Sequence, residues 1–221
     1  MKLMPVVHVM DIEQTLHNVQ IALWNGADGV FLISHGYAEY GKLIDIYTVV
    51  RKRFQNFWIG LNFLDLSTME AVLRVPANAD GLWTDNAWID EGSTTQAAAE
   101  AIWDARKRRT DWKGLYFGGV AFKYQKKSSN ATQAARLATS FMDVVTTSGD
   151  ATSSAPSVDK ITAMRKAVGS RPIAIASGIA KENAAQFKTI ADYALVWSSI
   201  KKNESELDPD AVRGLSKALH H

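Results

Sequence analysis

Four side chains stand at positions where they could do chemistry together. His8 interrupts the apolar run PVVHV, Asp85 follows GLWT, Lys123 follows GLYFGGVAF, and Asp150 lies just beyond DVVTT. An imidazole set in an apolar strand needs a partner in the interior or on a substrate. A lysine at the end of an apolar run can carry a proton, anchor an anion or form a Schiff base. Carboxylates beside such groups are acid–base partners, so His8, Lys123, Asp85 and Asp150 form the candidate catalytic set. Each has a plainer structural alternative as a helix cap or a hydrogen-bonded core group. For Asp11 that alternative wins, because Asp-Ile-Glu-Gln directly precedes an amphipathic stretch; His17 falls inside the same stretch. Further polar residues at the ends of apolar runs are His35, Asn62 with Asp65, Thr84, Asn86 and Thr146.

A second constellation suits an anion. Ala176-Ser177-Gly178-Ile179 and Trp197-Ser198-Ser199-Ile200 each lead from an apolar run toward a helical segment, and Gly149 occupies a similar turn. Small residues let backbone N–H groups approach a phosphate, and a helix N-terminus favours its charge. Gly149, Ser177, Gly178, Ser198 and Ser199 are therefore the expected phosphate-binding residues. The plainer reading is a pair of turns with capping serines.

Other chemistries are less well served. The chain has no cysteine, which excludes disulfides, thiolate nucleophiles and cysteine-ligated clusters. No HExxH-like spacing joins His8 or His35 to the aspartates, so no metal set is named, and nothing in the sequence names a cofactor. The basic runs Arg51-Lys52-Arg53 and Arg106-Lys107-Arg108-Arg109 each close a helical stretch, where cations complement the dipole and stay solvated; no nucleic-acid partner is expected. Of seven tryptophans, Trp88 and Trp197 are the two placed to meet a ligand, and the others read as core.

These residues need a scaffold that brings strand ends together. Eight short apolar runs are read as strands: Pro5 to Val9, Gly29 to Ile33, Phe57 to Asn62, Gly81 to Thr84, Gly114 to Val120, Asp143 to Thr147, Pro172 to Ala176 and Tyr193 to Trp197. Several are apolar at nearly every position, as parallel strands covered on both faces should be. Between them lie helical stripes, Ile12, Leu16, Val19 and Leu23 in one and Leu43, Tyr47, Val50 and Phe54 in another. Ser67 with Glu70 and Ser93 with Gln96 fit the capping-box pattern, and Asp208-Pro209 opens a last helix through Val212, Leu215 and Leu219. An open doubly wound sheet would also alternate, but eight units in 221 residues favour a closed α/β fold, the (β/α)₈ TIM barrel. Strand-end residues then share one face, and the segments Lys123 to Asn130 and Ser148 to Pro156 are its long loops.

Composition agrees with one domain over residues 1–219, with 47% hydrophobic and 22% charged residues and a net charge of +2; His220 and His221 read as the remainder of a purification tag. No run approaches the ~20 apolar residues of a membrane span and the start MKLMPVVHV is no signal sequence, so a cytoplasmic protein without membrane insertion is expected. Oligomeric state stays open, a homo-oligomer included.

The stretch DVVTTSGDATSSAPSVDKITAMRKAVGSRPIAIASGIAKENAAQF, followed by ADYALVWSSIKKN, resembles the BtpA family of predicted TIM barrels; PVVHVMD with NGADGVFLISHG resembles that family's opening. The similarity covers nearly the whole chain. Family-like positions are His8, Gly36, Lys123, Thr147, Gly149, Thr152, Ser177, Gly178, Asn183, Ser198, Ser199 and Lys201. The sequence departs from the family after the first strand, where a proline-rich loop is missing. It departs again at Ser34-His35, which replaces a Glu-Asn pair, and at Trp197, which stands where glycine is usual and could crowd a phosphate. The family is named for photosystem I biogenesis, and some members are described as enzymes. Two readings follow: an enzyme acting on a small phosphorylated or anionic metabolite, with an anion site after strands seven and eight, or a non-catalytic assembly or regulatory factor.

Overall fold

The computed structural model of the protein describes residues 1–36 and 38–221. Eight parallel strands, β1 (Lys2–His8), β2 (Gly29–Ile33), β3 (Trp58–Asn62), β4 (Gly81–Thr84), β5 (Leu115–Gly119), β6 (Val144–Thr147), β7 (Ile173–Ile175) and β8 (Tyr193–Val196), close in sequential order. The register of β1 on β8, with Pro5 opposite Val196, completes the barrel. Around it run α1 (Ile12–Trp24), α2 (Tyr40–Arg53), α3 (Thr68–Arg74), α4 (Ala97–Arg108), α5 (Ala131–Ala138), α6 (Val158–Val168), α7 (Ala184–Phe187) and α8 (Pro209–His220). The protein is thus a (β/α)₈ barrel, and each expected strand forms, because buried parallel strands leave runs of apolar residues that no surface element shares. Among the described residues no helix is long and apolar enough to cross a membrane.

The barrel is filled, not hollow, at its lower end. Phe31 meets Trp58, Trp83 and Phe117 edge-on with ring centroids 5.2–5.8 Å apart, and Phe117 meets Tyr193 at 5.1 Å. These rings come from β2, β3, β4, β5 and β8 and form a plug on which the upper layer of side chains rests.

Local signals act as expected in several helices. Ser67 and Glu70 form the capping box of α3, Asp11 caps α1, and Asp208 caps α8 with Pro209 in the first turn. Leu43, Tyr47 and Val50 are buried on α2, and Phe54 is buried at its C-cap. Three expectations need correction. The first is the apolar stripe of α1: Ile12 and Leu23 are exposed, and the buried face carries Thr15, Asn18, Val19 and Ala22. Asn18 belongs inside because its amide donates to Ser205 and its carbonyl accepts from the Leu207 N–H at 2.8 Å, tying α1 to the β8–α8 loop. The second is the Ser93–Gln96 box, which does not form. Gln96 folds back on the backbone of Asp90, accepting from its N–H and donating to its carbonyl, and α4 begins after it. The third is the solvated basic runs. Arg51, Arg106 and Arg109 turn into the bottom of the barrel: Arg106 donates to the carbonyls of Trp112 and Gly114, and Arg109 to those of Val72, Leu73 and Val75.

Candidate functional site

At the C-terminal ends of the strands lies a cavity of about 520 Å³, within the range that holds small metabolites. Its walls bring together His8 from β1, His35 from the loop after β2, Asp85 after β4, Lys123 after β5, Ser177 and Gly178 after β7, and Trp197, Ser198 and Ser199 after β8. Three of the four candidate catalytic residues therefore face one space. Asp150 does not: it is exposed and lines a neighbouring cleft with Gly149 and Lys160. Trp88 is also absent from the cavity walls and is largely exposed, whereas Trp197 is part of them.

The rings of Trp197, His8 and His35 form a ladder along the β8–β1–β2 side. Trp197 stacks on His8 at 4.8 Å and 21° between planes, and His8 meets His35 at 4.8 Å. Burial, then the proximity of His35, Lys201 and Lys123, lowers the pKa of His8 to about 4 against a weaker pull from Glu204. A neutral imidazole faces the cavity with no side-chain hydrogen bond among the described residues. On the opposite wall, burial raises the pKa of Asp85, opposed by a hydrogen bond from the Asn62 amide at 3.2 Å and by the charge of Lys123. A carboxyl held toward its protonated form and a neutral imidazole are a suitable acid–base pair.

The turns after β7 and β8 have a particular arrangement. The hydroxyls of Ser177 and Ser199 donate to the carbonyls of Ala151 and Ile179, and Ser198 accepts from Ser153, so the serine side chains are engaged within the protein. By contrast, the backbone N–H groups of Gly178, Ile179, Ser198 and Ser199 meet no acceptor among the described residues, although Ile179 is wholly buried. All four residues line the cavity. The indole of Trp197, which follows β8, stacks on His8. Gly178 has φ +65°, and a Cβ there would run into the backbone of Ser154 and Ala155; a Cβ on Gly149 would collide with the same loop. Packing of the loop after β6 therefore accounts for both glycines.

That loop crosses the mouth and is fastened on three sides. Tyr124 and Thr152 share a hydroxyl hydrogen bond of 2.7 Å, Ser153 reaches Ser198 at 2.8 Å, and Ser177 reaches Ala151 at 3.2 Å. Beneath it the half-buried Lys160 donates its amine to the carbonyls of Ala121 and Ser148, and burial lowers its pKa. Among the described residues the non-glycine ones with positive φ, Trp88, Ala121, Tyr124 and Ser153, all sit in loops on this face. Tyr124, Ser153 and Lys160 carry no sequence signal, since a loop hydroxyl or a helix lysine is usually solvated. Asp65, one of the strand-end polar residues, serves the fold: it accepts from Ser34 and from the first N–H of α2. Among the described residues no cluster of three or more His, Cys, Asp or Glu is arranged for a metal.

Residues 115–221 match the BtpA family model, so the resemblance read from the sequence holds from β5 to the end of the chain. No curated protein matches the sequence. Among solved structures the chain is similar to a 3-hexulose-6-phosphate synthase, with a TM-score of 0.71 at 14% identity over 99% of this chain and 100% of that one. It is similar to the orotidine 5'-monophosphate decarboxylase of Methanocaldococcus jannaschii, TM-score 0.69 at 15% identity, covering 100% and 99% of the two chains. A third is the (S)-3-O-geranylgeranylglyceryl phosphate synthase of Thermoplasma acidophilum bound to sn-glycerol-1-phosphate, TM-score 0.69 at 12% identity, covering 99% and 92%. At these identities the likeness is one of fold.

Proposed function

We propose that the protein is an enzyme acting by proton transfer on a small phosphorylated metabolite, with the phosphate held at the turns after β7 and β8. The observation that carries this reading is the set of four backbone N–H groups, at Gly178, Ile179, Ser198 and Ser199, without protein acceptors beside a cavity that also holds His8, Asp85 and Lys123. Orphan N–H groups in a turn attract an anion, and β7–β8 loops are a recurrent phosphate position in barrels of this kind. The names of the three similar structures, each an enzyme with phosphate in its substrate or product, favour the same class. In this reading Lys123 supplies the positive charge, while Asp85 and His8 exchange the proton.

Titration with inorganic phosphate, followed by amide resonances, tests the site. The amides of Gly178, Ile179, Ser198 and Ser199 are expected to shift with millimolar saturation, and Ser198→Asp to weaken binding by about tenfold. Aspartate keeps an acceptor for Ser153, so the loop contact survives. Motionless amides would overturn the phosphate site. For the chemistry, Lys123→Met should lower turnover of any substrate found by at least about a hundredfold; unchanged turnover would return the protein to the reading of a non-catalytic assembly or regulatory factor.

A further inference from the structure

Beside the main cavity, between the loops after β5 and β6, lies a cleft of about 340 Å³. Lys123, Lys127 and Lys160 line it against a single carboxylate, that of Asp150. Among the described residues none of these three lysines is ion-paired. Lys160 is the one the fold holds in place. Its amine donates to the carbonyls of Ala121 at 2.9 Å and Ser148 at 2.8 Å, and the third N–H of the ammonium has no protein acceptor. Both acceptors are neutral, so they orient the charge without cancelling it, and Asp150 acts on it only from beyond contact. Ala121, which carries one acceptor, and Gly149, next to the other, are both walls of the cleft, which sets the amine at its inner edge. The loop backbone adds to the same field. The N–H groups of Gly149 and Asp150, which also line the cleft, meet no acceptor among the described residues, and Gly149 is buried.

These groups select the charge of what they meet. A cation would face three ammonium groups, and an apolar group would strip water from them and give nothing back. An anionic oxygen accepts from ammonium and amide alike, in the charge-assisted bonds that are the stronger kind. We propose that this cleft is a second anion subsite, in which Lys127, Lys160 and the amides of Gly149 and Asp150 hold a phosphate or carboxylate group. Lys123 and Tyr124 belong to the walls of both the cleft and the main cavity, so the two spaces adjoin at that pair of residues. One small molecule can therefore set an anionic group at the turns after β7 and β8 and another in the cleft, with Lys123 between them. The substrate class is then a metabolite with an anionic group at each end, a bisphosphate or a phosphorylated carboxylic acid. That step rests on the phosphate reading above for the first end; the anion in the cleft does not.

The probes are α,ω-alkanediol bisphosphates of about two to six carbons, each compared with the monoalkyl phosphate of the same length. Joining two anionic groups makes the second binding event intramolecular, so at least one bisphosphate should bind at least about tenfold more tightly than its monophosphate partner. The amide resonances of Gly149 and Asp150 and the Nζ resonance of Lys160 should move with it. Lys127→Gln, a change at an exposed loop residue, should shrink the ratio of the two affinities about threefold, and Lys160→Met about tenfold. Should Lys160→Met fail to fold, Lys127→Gln carries the test. A second series, with carboxylate in place of the far phosphate, tells which of the two anions the cleft prefers, and a gain with either supports it. No gain at any length with either end group, or a gain that these variants leave intact, would overturn the proposal. Inorganic phosphate alone separates the two readings. If it moves the amides of Gly178, Ile179, Ser198 and Ser199 while no bisphosphate gains, the cleft site alone is removed. If it moves Gly149 and Asp150 in a way that Lys127→Gln weakens, and leaves Gly178 and its neighbours still, the cleft keeps its anion and the phosphate site at the turns falls.

Discussion

His8 joins a legible sequence signal to a testable property. A polar residue in the run PVVHV announces itself, as do Asp85 and Lys123, because each breaks an apolar pattern at a strand end. Trp83 does not, since tryptophan in an apolar strand reads as core, and only coordinates reveal that its N–H lacks a partner. The pKa of His8 is about 4 in the folded protein against an ordinary 6.5. As pH falls the unfolded chain takes the proton first, so the stability that neutral His8 provides is complete above 6.5 and is lost progressively down to about 4. Full loss would amount to roughly 3 kcal/mol. Thermal unfolding of the parent and of His8→Gln, followed from neutral pH to about 4, should give a steeper decline for the parent. Parallel curves would mean that His8 titrates alike in both states.

Among the elements, the loops after β4 and β5 are clasped at one point by a carboxylate that gathers four donors. Glu91 Oε1 accepts from the hydroxyls of Ser128 and Ser129 and from the N–H groups of Ser129 and Asn130, at the start of α5. Burial opposes its charge, but these hydrogen bonds outweigh burial and lower its pKa to about 2. Pattern reading missed it because Glu91 lies in a loop, outside any periodic stretch, and its partners follow nearly forty residues later. The same separation explains the failed Ser93–Gln96 box: the motif is present, yet Gln96 finds its partner on Asp90 within a loop that the motif does not describe. Glu91→Gln keeps the shape and loses the charge-assisted bonds. Hydrogen exchange at the amides of Ser129 and Asn130 is expected to speed up about tenfold, with global stability changed by about 1 kcal/mol or less, since the site is largely solvent-screened. Unchanged exchange would show the clasp to be incidental.

At the scale of the molecule the barrel carries a repeat at the end opposite the site. Asp28, Asp80, Asp143 and Asp192 immediately precede β2, β4, β6 and β8. Each carboxylate accepts from the N–H of a residue in the neighbouring odd strand, namely Leu3, Ile59, Tyr116 and Ile173, at 2.7–2.8 Å. The sequence contains this as ADGV, ADGL, MDVV and ADYA, four short segments too degenerate to notice without the register that aligns them. Each aspartate also has a basic neighbour: Arg51 pairs with Asp80, Arg165 with Asp192 and His220 with Asp28, while Arg106 feels the charge of Asp143. His220, expected as tag remainder, lies in the last turn of α8 with its imidazole 2.9 Å from the Asp28 carboxylate. The pairing explains why the basic helix ends point inward and why the phosphate chemistry proposed for the mouth owes nothing to them. Removing one carboxylate leaves a strand N–H unanswered and takes the charged partner from a guanidinium that keeps its backbone carbonyl acceptors, a loss of about 2–3 kcal/mol by the usual cost of a charge-assisted bond. Asp80→Ala and Asp192→Ala should each lower the denaturant midpoint by that amount at constant slope. Because the two sites serve β3–β4 and β7–β8, far apart around the barrel, the double variant should be additive within about 0.5 kcal/mol. Phosphate affinity should not change in any of the three, since these residues close the bottom of the barrel and the cavity opens at its top. Losses below about 0.5 kcal/mol would reduce the repeat to decoration; a change in phosphate affinity would mean that the two ends of the barrel are coupled, against the separation of stability from site that this architecture implies.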